Sequence, residues 1–293
     1  MLKPKLYNDF YLIKPMTVKY GLLLKKSWQD FRKNLIVLLP ILPAIIIFIV
    51  FGLFLVAQFI LYQSLGLSMD VKVFGLNEIL FISIFSIIDF FLLVIIGSIL
   101  KAMSIGLINQ AITKKKATSN DMWLGMKRYT GILFRFDFLV MILLFLPLGI
   151  LGLLIFLGFS INLGLGIAFA FIFGFIGILY LIAIALLLGF GFFFALPILT
   201  KTNVKSAIKL MKESFNYTKQ NLTHVLLTWL IIVGIGLVLS IFKQIFFAFA
   251  LTPLMLLIML PFILVYIVAS IIVSSWLQLF LFNAYYNKDI KKL

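Results

Sequence analysis

Apolar residues follow two different rhythms along this chain. Across residues 201–222 they recur with a helical period. Val204, Ala207, Ile208, Met211, Phe215, Thr218 and Leu222, apolar or small, stand at i, i+3, i+4, i+7, i+11, i+14 and i+18. That spacing is one face of a 3.6-residue helix. Lys201, Lys205, Lys209, Lys212 and Lys219 share one flank of it, within about 80° of arc at 100° per residue. An apolar stripe beside a lysine strip suits the membrane–water interface, where the stripe enters the acyl boundary and the lysines meet anionic head groups.

The same pattern stands earlier at a gapless offset of 187 residues. Lys14, Lys25, Ser27, Asn34 and Leu35 match Lys201, Lys212, Ser214, Asn221 and Leu222, with Trp28 for Phe215, Leu24 for Met211 and Arg32 for Lys219. Both copies share Ser-(Trp/Phe)-x5-Asn-Leu, and Lys26 and Lys33 add to the basic flank of the first. A third, weaker copy is Met122, Met126, Tyr129, Leu133 and Phe136, flanked by Lys127, Arg128 and Arg135. Ser119 or Asn120 is its expected N-cap.

The second rhythm is no rhythm at all, only apolar runs of the ~20 residues that a bilayer requires. Six helical spans are expected, at 35–61, 78–100 (continuing as helix to 113), 138–159, from a very short turn near Asn162 to Pro197, 222–247 and 253–282. Pro40 and Pro43 fall in the first turns of span one, where a missing N–H costs least. Pro147 is an expected kink. Span four is longer than a bilayer needs, so tilt or an extension beyond the membrane is expected. Its Gly166, Ala170 and Gly174 form a small-xxx-small packing ladder.

The expected fold is all-α: a polytopic membrane protein whose six transmembrane helices form three repeats of an interfacial amphipathic helix plus a transmembrane hairpin. The repeat units are about 14–113, 114–200 and 201–287 within a single membrane domain, 1–293. All three begin on the same side, which excludes an inverted repeat.

Composition supports this. At 64% hydrophobic and 12% charged, no soluble fold fits, and runs broken by Pro and Gly rather than alternating with polar residues exclude barrel strands. A formal charge of +16 invites a nucleic-acid partner, but the basic residues are dispersed in the loops that positive-inside bias favours, so none is expected. Residues 1–34 carry eight Lys or Arg, 113–135 six, 200–221 five and the tail three, against Lys72 and Lys243 on the other side. Both ends and the basic helices are therefore expected in the cytoplasm, in a multi-pass protein of the cell (inner) membrane. The N-terminus lacks an apolar stretch followed by a cleavage site, so no cleaved signal is expected. The absence of cysteine removes disulfides, thiol catalysis and cysteine metal sites.

Asp89 is the residue most in need of an explanation. It lies about 16 Å inside span two at 1.5 Å per residue, where an ionised carboxylate costs about 2.5–3.5 kcal/mol on insertion scales. Ser86 and Lys101 share its broad face; Lys101 is about 18 Å further along, too far to pair, and is expected to snorkel to the head groups. Asp89 either lines a proton or solute path or is a protonated tie to a neighbouring helix. Asp137 reads as an interfacial residue beside Arg135, and His224, the sole histidine, as a bystander. No HExxH, phosphate loop, GxSxG or intramembrane acid pair occurs, so neither an enzyme, a metal nor a cofactor is expected.

Phe193-Phe194-Ala195-Leu196-Pro197, then Ala207, Ser214-Phe215 and Asn221-Leu222, resembles the six-helix inner-membrane proteins of the YciC-like type. Their related membrane domain precedes the catalytic domain of some glycerophosphodiester phosphodiesterases. In that pattern a Pro closes a long span, and an amphipathic helix with Ser-aromatic-x5-Gly/Asn enters the next. Thr200-Lys201 stands here where an acidic residue and Gly often follow the Pro. The resemblance implies a fold and a location and lends no activity. The function expected is that of a non-enzymatic scaffold, partner or envelope-maintenance factor holding anionic lipid. The alternative is a transporter or lipid-handling protein using Asp89.

Overall fold

The computed structural model describes residues 19–65, 76–249 and 253–286, with side chains described except at 76–79, 246–249 and 253–260. Expectations for Lys14, Lys72 and the basic tail lie outside the described residues.

The described residues are mostly helical, with no strand among them. In chain order the helices are α1 (Tyr20–Lys33), α2 (Ile41–Ser64), α3 (Leu76–Thr113), α4 (Ser119–Ile161), α5 (Leu163–Leu186), α6 (Ala195–Thr202), α7 (Ala207–Gln220), α8 (Leu222–Phe249) and α9 (Pro253–Tyr286). Among the described residues six stretches are long and apolar enough to cross a membrane, as in a multi-pass membrane protein.

Where the sequence leaves no choice, the structure agrees with it. The α4–α5 turn is Asn162 alone, in extended conformation, its side-chain oxygen accepting from the Leu165 N–H at 2.8 Å. That bond caps α5. The helix of span two runs to Thr113.

Three expectations change. The third basic helix is not separate: α4 runs unbroken through residues 119–161 and past Pro147. Nothing between Phe136 and Phe138 stops a helix, and a change from polar to apolar sequence does not break one. At 43 residues α4 spans about 64 Å, and α3 about 57 Å, each far beyond a ~30 Å hydrocarbon core. Secondly, the N-cap of α4 is Thr118, not Ser119 or Asn120: the Asp121 carboxylate accepts from both the Thr118 N–H at 2.8 Å and its hydroxyl at 2.7 Å. Thirdly, residues 201–222 are not one helix. α6 ends at Thr202, Asn203 adopts the left-handed conformation (φ 51°), and α7 begins at Ala207. Asn tolerates that conformation better than most residues, and the Arg128 guanidinium donates to its side-chain oxygen.

Span four also breaks before its expected end. α5 gives way to a π-helical turn at Leu187–Gly191, after which α6 returns. The carbonyls of Phe190 and Gly191 accept from the hydroxyls of Thr218 (2.8 Å) and Ser214 (2.9 Å) of α7. α7 is thereby bolted onto the break.

The buried core lies where the spans end, not at their middles. Phe194, Leu199, Leu210, Val225, Leu279, Phe280 and Phe282 are among its fully buried members. Mid-span residues such as Phe171 and Val265 are 77% and 68% exposed, as expected of surface meant for acyl chains. α3 and α4 pack most extensively, and their backbones touch where Gly106 meets Gly125. A Cβ at Gly106 would overlap the Asp121 carbonyl oxygen and lie 2.7 Å from the Gly125 Cα. Of the predicted ladder, Gly166 is closed in by the Phe159 ring, whereas Gly174 meets nothing within 4 Å.

Candidate functional site at the basic end of the bundle

Asp89, Ser86 and Lys101, the candidate polar positions of span two, each have a separate setting. Asp89 accepts a hydrogen bond from Gln58 Nε2 of α2 at 2.8 Å, a tie between neighbouring helices. Ser86 is exposed. Lys101 does not simply snorkel: its Nζ lies 2.7 Å from Asp137 Oδ1 of α4, and Asp137 Oδ2 accepts from the Ser98 hydroxyl at 2.9 Å. Asp137 is thus a paired residue only 12% exposed, while Lys101 is 48% exposed. A half-open pair inside a largely apolar surface is held by geometry as much as by charge.

The Ser and Asn positions shared by α1 and α7 fasten each helix to the bundle. Ser27 and Asn34 are seven residues apart, two helical turns, so both face inward, while the intervening Trp28 is rotated about 100° away and exposed. Ser27 donates to the Leu23 carbonyl at 2.7 Å and accepts from Asn283 Nδ2 at 3.2 Å; Asn283 also donates to Asp30 at 3.0 Å. Asn34 is 3% exposed. Its Oδ1 accepts from the Ala117 N–H at 2.9 Å and its Nδ2 donates to the Lys115 carbonyl at 3.4 Å, pinning the α3–α4 loop, where Lys115 has φ 61°. In α7 the inward face is Ala207, Leu210, Ser214 and Thr218; Ile208, Phe215 and Leu222 are exposed, not part of one stripe with them. Asn221 donates to the Tyr217 carbonyl at 2.9 Å.

The cations point outward. Lys25, Arg32, Lys33, Lys205, Lys209, Lys212 and Lys219 are exposed and Lys26 is half-buried. Lys209 has a loose contact with Glu213 at 3.8 Å, which contributes little at such exposure. Lys201 departs from the expected strip: it belongs to α6, and its ammonium lies 5.0 Å and 5.6 Å from the ring centroids of Tyr285 and Tyr286, within cation–π range.

His224 is no bystander. It is 7% exposed, stacked on Phe194 and Tyr20, with Nε2 3.2 Å from the Ala284 carbonyl and Nδ1 2.8 Å from the Tyr20 hydroxyl. A carbonyl can only accept, so Nε2 carries a proton toward Ala284, while Nδ1 and the Tyr20 hydroxyl share a hydrogen bond. Burial pushes the Tyr20 phenol above its ordinary pKa. One histidine thus joins α1, α6, α8 and α9. Thr200 and Asn109 complete the collar through the Tyr286 hydroxyl, at 3.0 Å each. Among the described residues no three of His, Asp and Glu gather where they would hold a metal.

Sequence reasoning passed over Gln58, Asn283 and the Asp137 pairing. Asn283 did carry a signal, as a lone amide in the last turns of an apolar span. The chain matches no family model, no curated protein and no solved structure with which it was compared.

Proposed function

We propose that this protein is a non-enzymatic component of the cell membrane, with its basic end in the cytoplasm, that presents a fixed cationic surface to anionic lipid head groups as a scaffold or envelope-maintenance factor. The carrying observation is the pairing of inward hydroxyls with outward lysines: Ser27 of α1, and Ser214 and Thr218 of α7, fasten each helix to the bundle while its cations stay exposed. Cations on fastened supports lose little further freedom on meeting phosphate groups, which favours lipid binding. The charge count of 22 Lys or Arg on one side against two on the other supports the orientation. Leu23 with Leu210, Ser27 with Ser214 and Phe31 with Thr218, buried pairs at the 187-residue offset, support a repeat relation between α1 and α7. The resemblance to YciC-like membrane proteins fits this reading.

A transport path through Asp89 is less well supported, because its carboxylate is already engaged by Gln58.

Lipid enrichment around the purified protein in mixed phosphatidylcholine and phosphatidylglycerol nanodiscs tests the proposal. Changing Lys205, Lys209, Lys212 and Lys219 to Gln removes cations worth about 1 kcal/mol each near an anionic surface. Phosphatidylglycerol enrichment is expected to fall at least severalfold and to weaken with salt. An unchanged enrichment would refute the role.

A further inference from the structure

Two short basic runs, far apart in the sequence, meet at the basic end of the bundle. Arg32 and Lys33 close α1, and Lys114, Lys115 and Lys116 follow the last residue of α3. Asn34 joins them. It adjoins Lys33 in the chain, is only 3% exposed, and holds the loop through the Ala117 N–H and the Lys115 carbonyl. Its Nδ2 also donates to the Asp30 carbonyl at 3.0 Å, which fixes the amide itself. Five exposed cations are gathered around one buried side chain.

The described residues do not neutralise them. None of the five takes part in a salt bridge among those residues. The two acids nearest in the chain are engaged elsewhere: Asp30 accepts from Asn283, and Asp121 from Thr118. Even with both counted, five positive charges stand against two negative ones. Like charges gathered on fixed supports repel one another, and a bound polyanion relieves that repulsion.

Lys115 adds a second observation. It lies just past α3 with φ 61°, the left-handed conformation that glycine usually takes at a helix C-terminus. A side chain there carries a steric cost that glycine avoids. The dipole of α3 favours a cation at its end, but Lys114 and Lys116 supply one without left-handed backbone. The charge at position 115 is thus kept against the local preference of the chain, as strained residues are at ligand-binding loops.

Depth selects the partner. Span one opens at Leu35, directly after Asn34, and span two ends at Thr113, directly before Lys114. Both runs therefore lie at the level of lipid head groups, where basic clusters bind anionic heads. A single phosphate engages only part of a five-cation cluster, whereas two phosphates on a short linker match its two runs. We infer that this cluster binds a pair of linked phosphates, carried by a diphosphate lipid head group such as that of cardiolipin or by a soluble diphosphate. The inference rests on the lipid-facing reading of the basic end and adds a head-group preference at a place apart from α7.

The full chain, reconstituted in phosphatidylcholine nanodiscs holding either cardiolipin or twice as much phosphatidylglycerol, meets equal phosphate and acyl-chain content. After extraction in mild detergent, the anionic lipid retained by the protein is measured by mass spectrometry. Cardiolipin phosphate is expected to be retained severalfold over phosphatidylglycerol phosphate. Changing Lys33, Lys114 and Lys116 to Gln together with Lys115→Gly is expected to bring the two to parity. Lys115→Gly alone should weaken the preference while leaving the thermal midpoint unchanged or raised, because it relieves the left-handed position; lost binding is thereby separated from lost fold. Changing Lys205, Lys209, Lys212 and Lys219 to Gln should leave the cardiolipin preference in place, so failure of the α7 surface and failure of this site are read separately. Pyrophosphate that displaces cardiolipin and raises the midpoint of the lipid-free protein assigns the soluble source; no displacement assigns the lipid. The inference is overturned if the unaltered protein retains both lipids equally and pyrophosphate has no effect, if the fourfold loop variant binds as the unaltered protein does, or if the α7 variant loses the preference as fully as the loop variant.

Discussion

The contact between Gly106 and Gly125 makes the α3–α4 hairpin uniquely sensitive to a single methyl group. In Gly106→Ala the new Cβ would sit 2.7 Å from the Gly125 Cα and closer still to the Asp121 carbonyl oxygen. Carbon atoms pack best at about 3.5–4.0 Å, so the helices must part by about 1 Å. Both obstacles are backbone atoms, with no rotamer to change, so the cost belongs at the upper end of the ~1–3 kcal/mol usual for overpacking. Part of it is offset by the ~0.5–1 kcal/mol that Ala gains over Gly within a helix. Gly131→Ala supplies the reference, since a Cβ there meets nothing within 4 Å; it keeps the helix gain alone. The two variants should therefore differ by about 3 kcal/mol, roughly a hundredfold in the unfolding constant. Loss of helical circular dichroism during titration with sodium dodecyl sulfate in mixed micelles measures this. Gly106→Ala should unfold at a lower detergent fraction than the unaltered protein, and Gly131→Ala at the same or a higher one. Because Gly125→Ala strains the same contact, the double variant should cost less than the two singles together. If Gly106→Ala and Gly131→Ala unfold together, the backbones do not touch and the reasoning fails.

Other outcomes follow from the same contacts. Lys101→Met should destabilise by about 1–3 kcal/mol in that titration, and by more than Asp137→Ala, because it leaves the 12%-exposed Asp137 carboxylate without its counter-ion, whereas Asp137→Ala leaves a Lys101 open enough to find other solvation and a Ser98 hydroxyl that keeps the Val94 carbonyl. Ser214→Ala with Thr218→Val should remove the hydroxyls held by the Gly191 and Phe190 carbonyls, and amide exchange across residues 187–195 should accelerate; unchanged protection there would refute the bolt. Asp121→Ala should cost about 1 kcal/mol by removing the carboxylate that holds the Thr118 N–H, read as a shift in thermal midpoint. Tyr20 has its folded-state pKa raised above the ordinary 10.0, so its contribution is complete below pH 10 and lost as pH rises through the folded value. Stability should decline above pH 10, and the decline should be shallower in Tyr20→Phe.

Length and apolar continuity made the spans legible. An apolar run of bilayer length has few alternatives, and Asn162 between two such runs can only be a turn. The site was less legible, because its partners meet across helices. Lys101 and Asp137 are 36 residues apart, and their meeting depends on how closely α3 approaches α4, which the two glycines set. Helical periodicity along α7 also misdirected attention from inner to outer face. It set Ile208 and Phe215 on one membrane-facing stripe with Ala207 and Thr218, whereas the inward positions include Ser214 and Thr218, whose hydroxyls serve an opened turn elsewhere in the chain. That turn, at Leu187–Gly191, leaves no local trace in a uniformly apolar stretch. His224 was misread for the related reason that its partners Tyr20 and Ala284 are distant in sequence.

The single-residue turn at Asn162 bears on how the protein enters a membrane at all. A loop carried across a bilayer must shed the water around its polar groups, and long or charged loops make that step slow. Here α4 and α5 are joined by one residue, and its side-chain oxygen already holds the Leu165 N–H. The two helices can cross as a closed hairpin, with almost nothing polar to drag through. Lengthening that turn with charged residues would convert one insertion event into two.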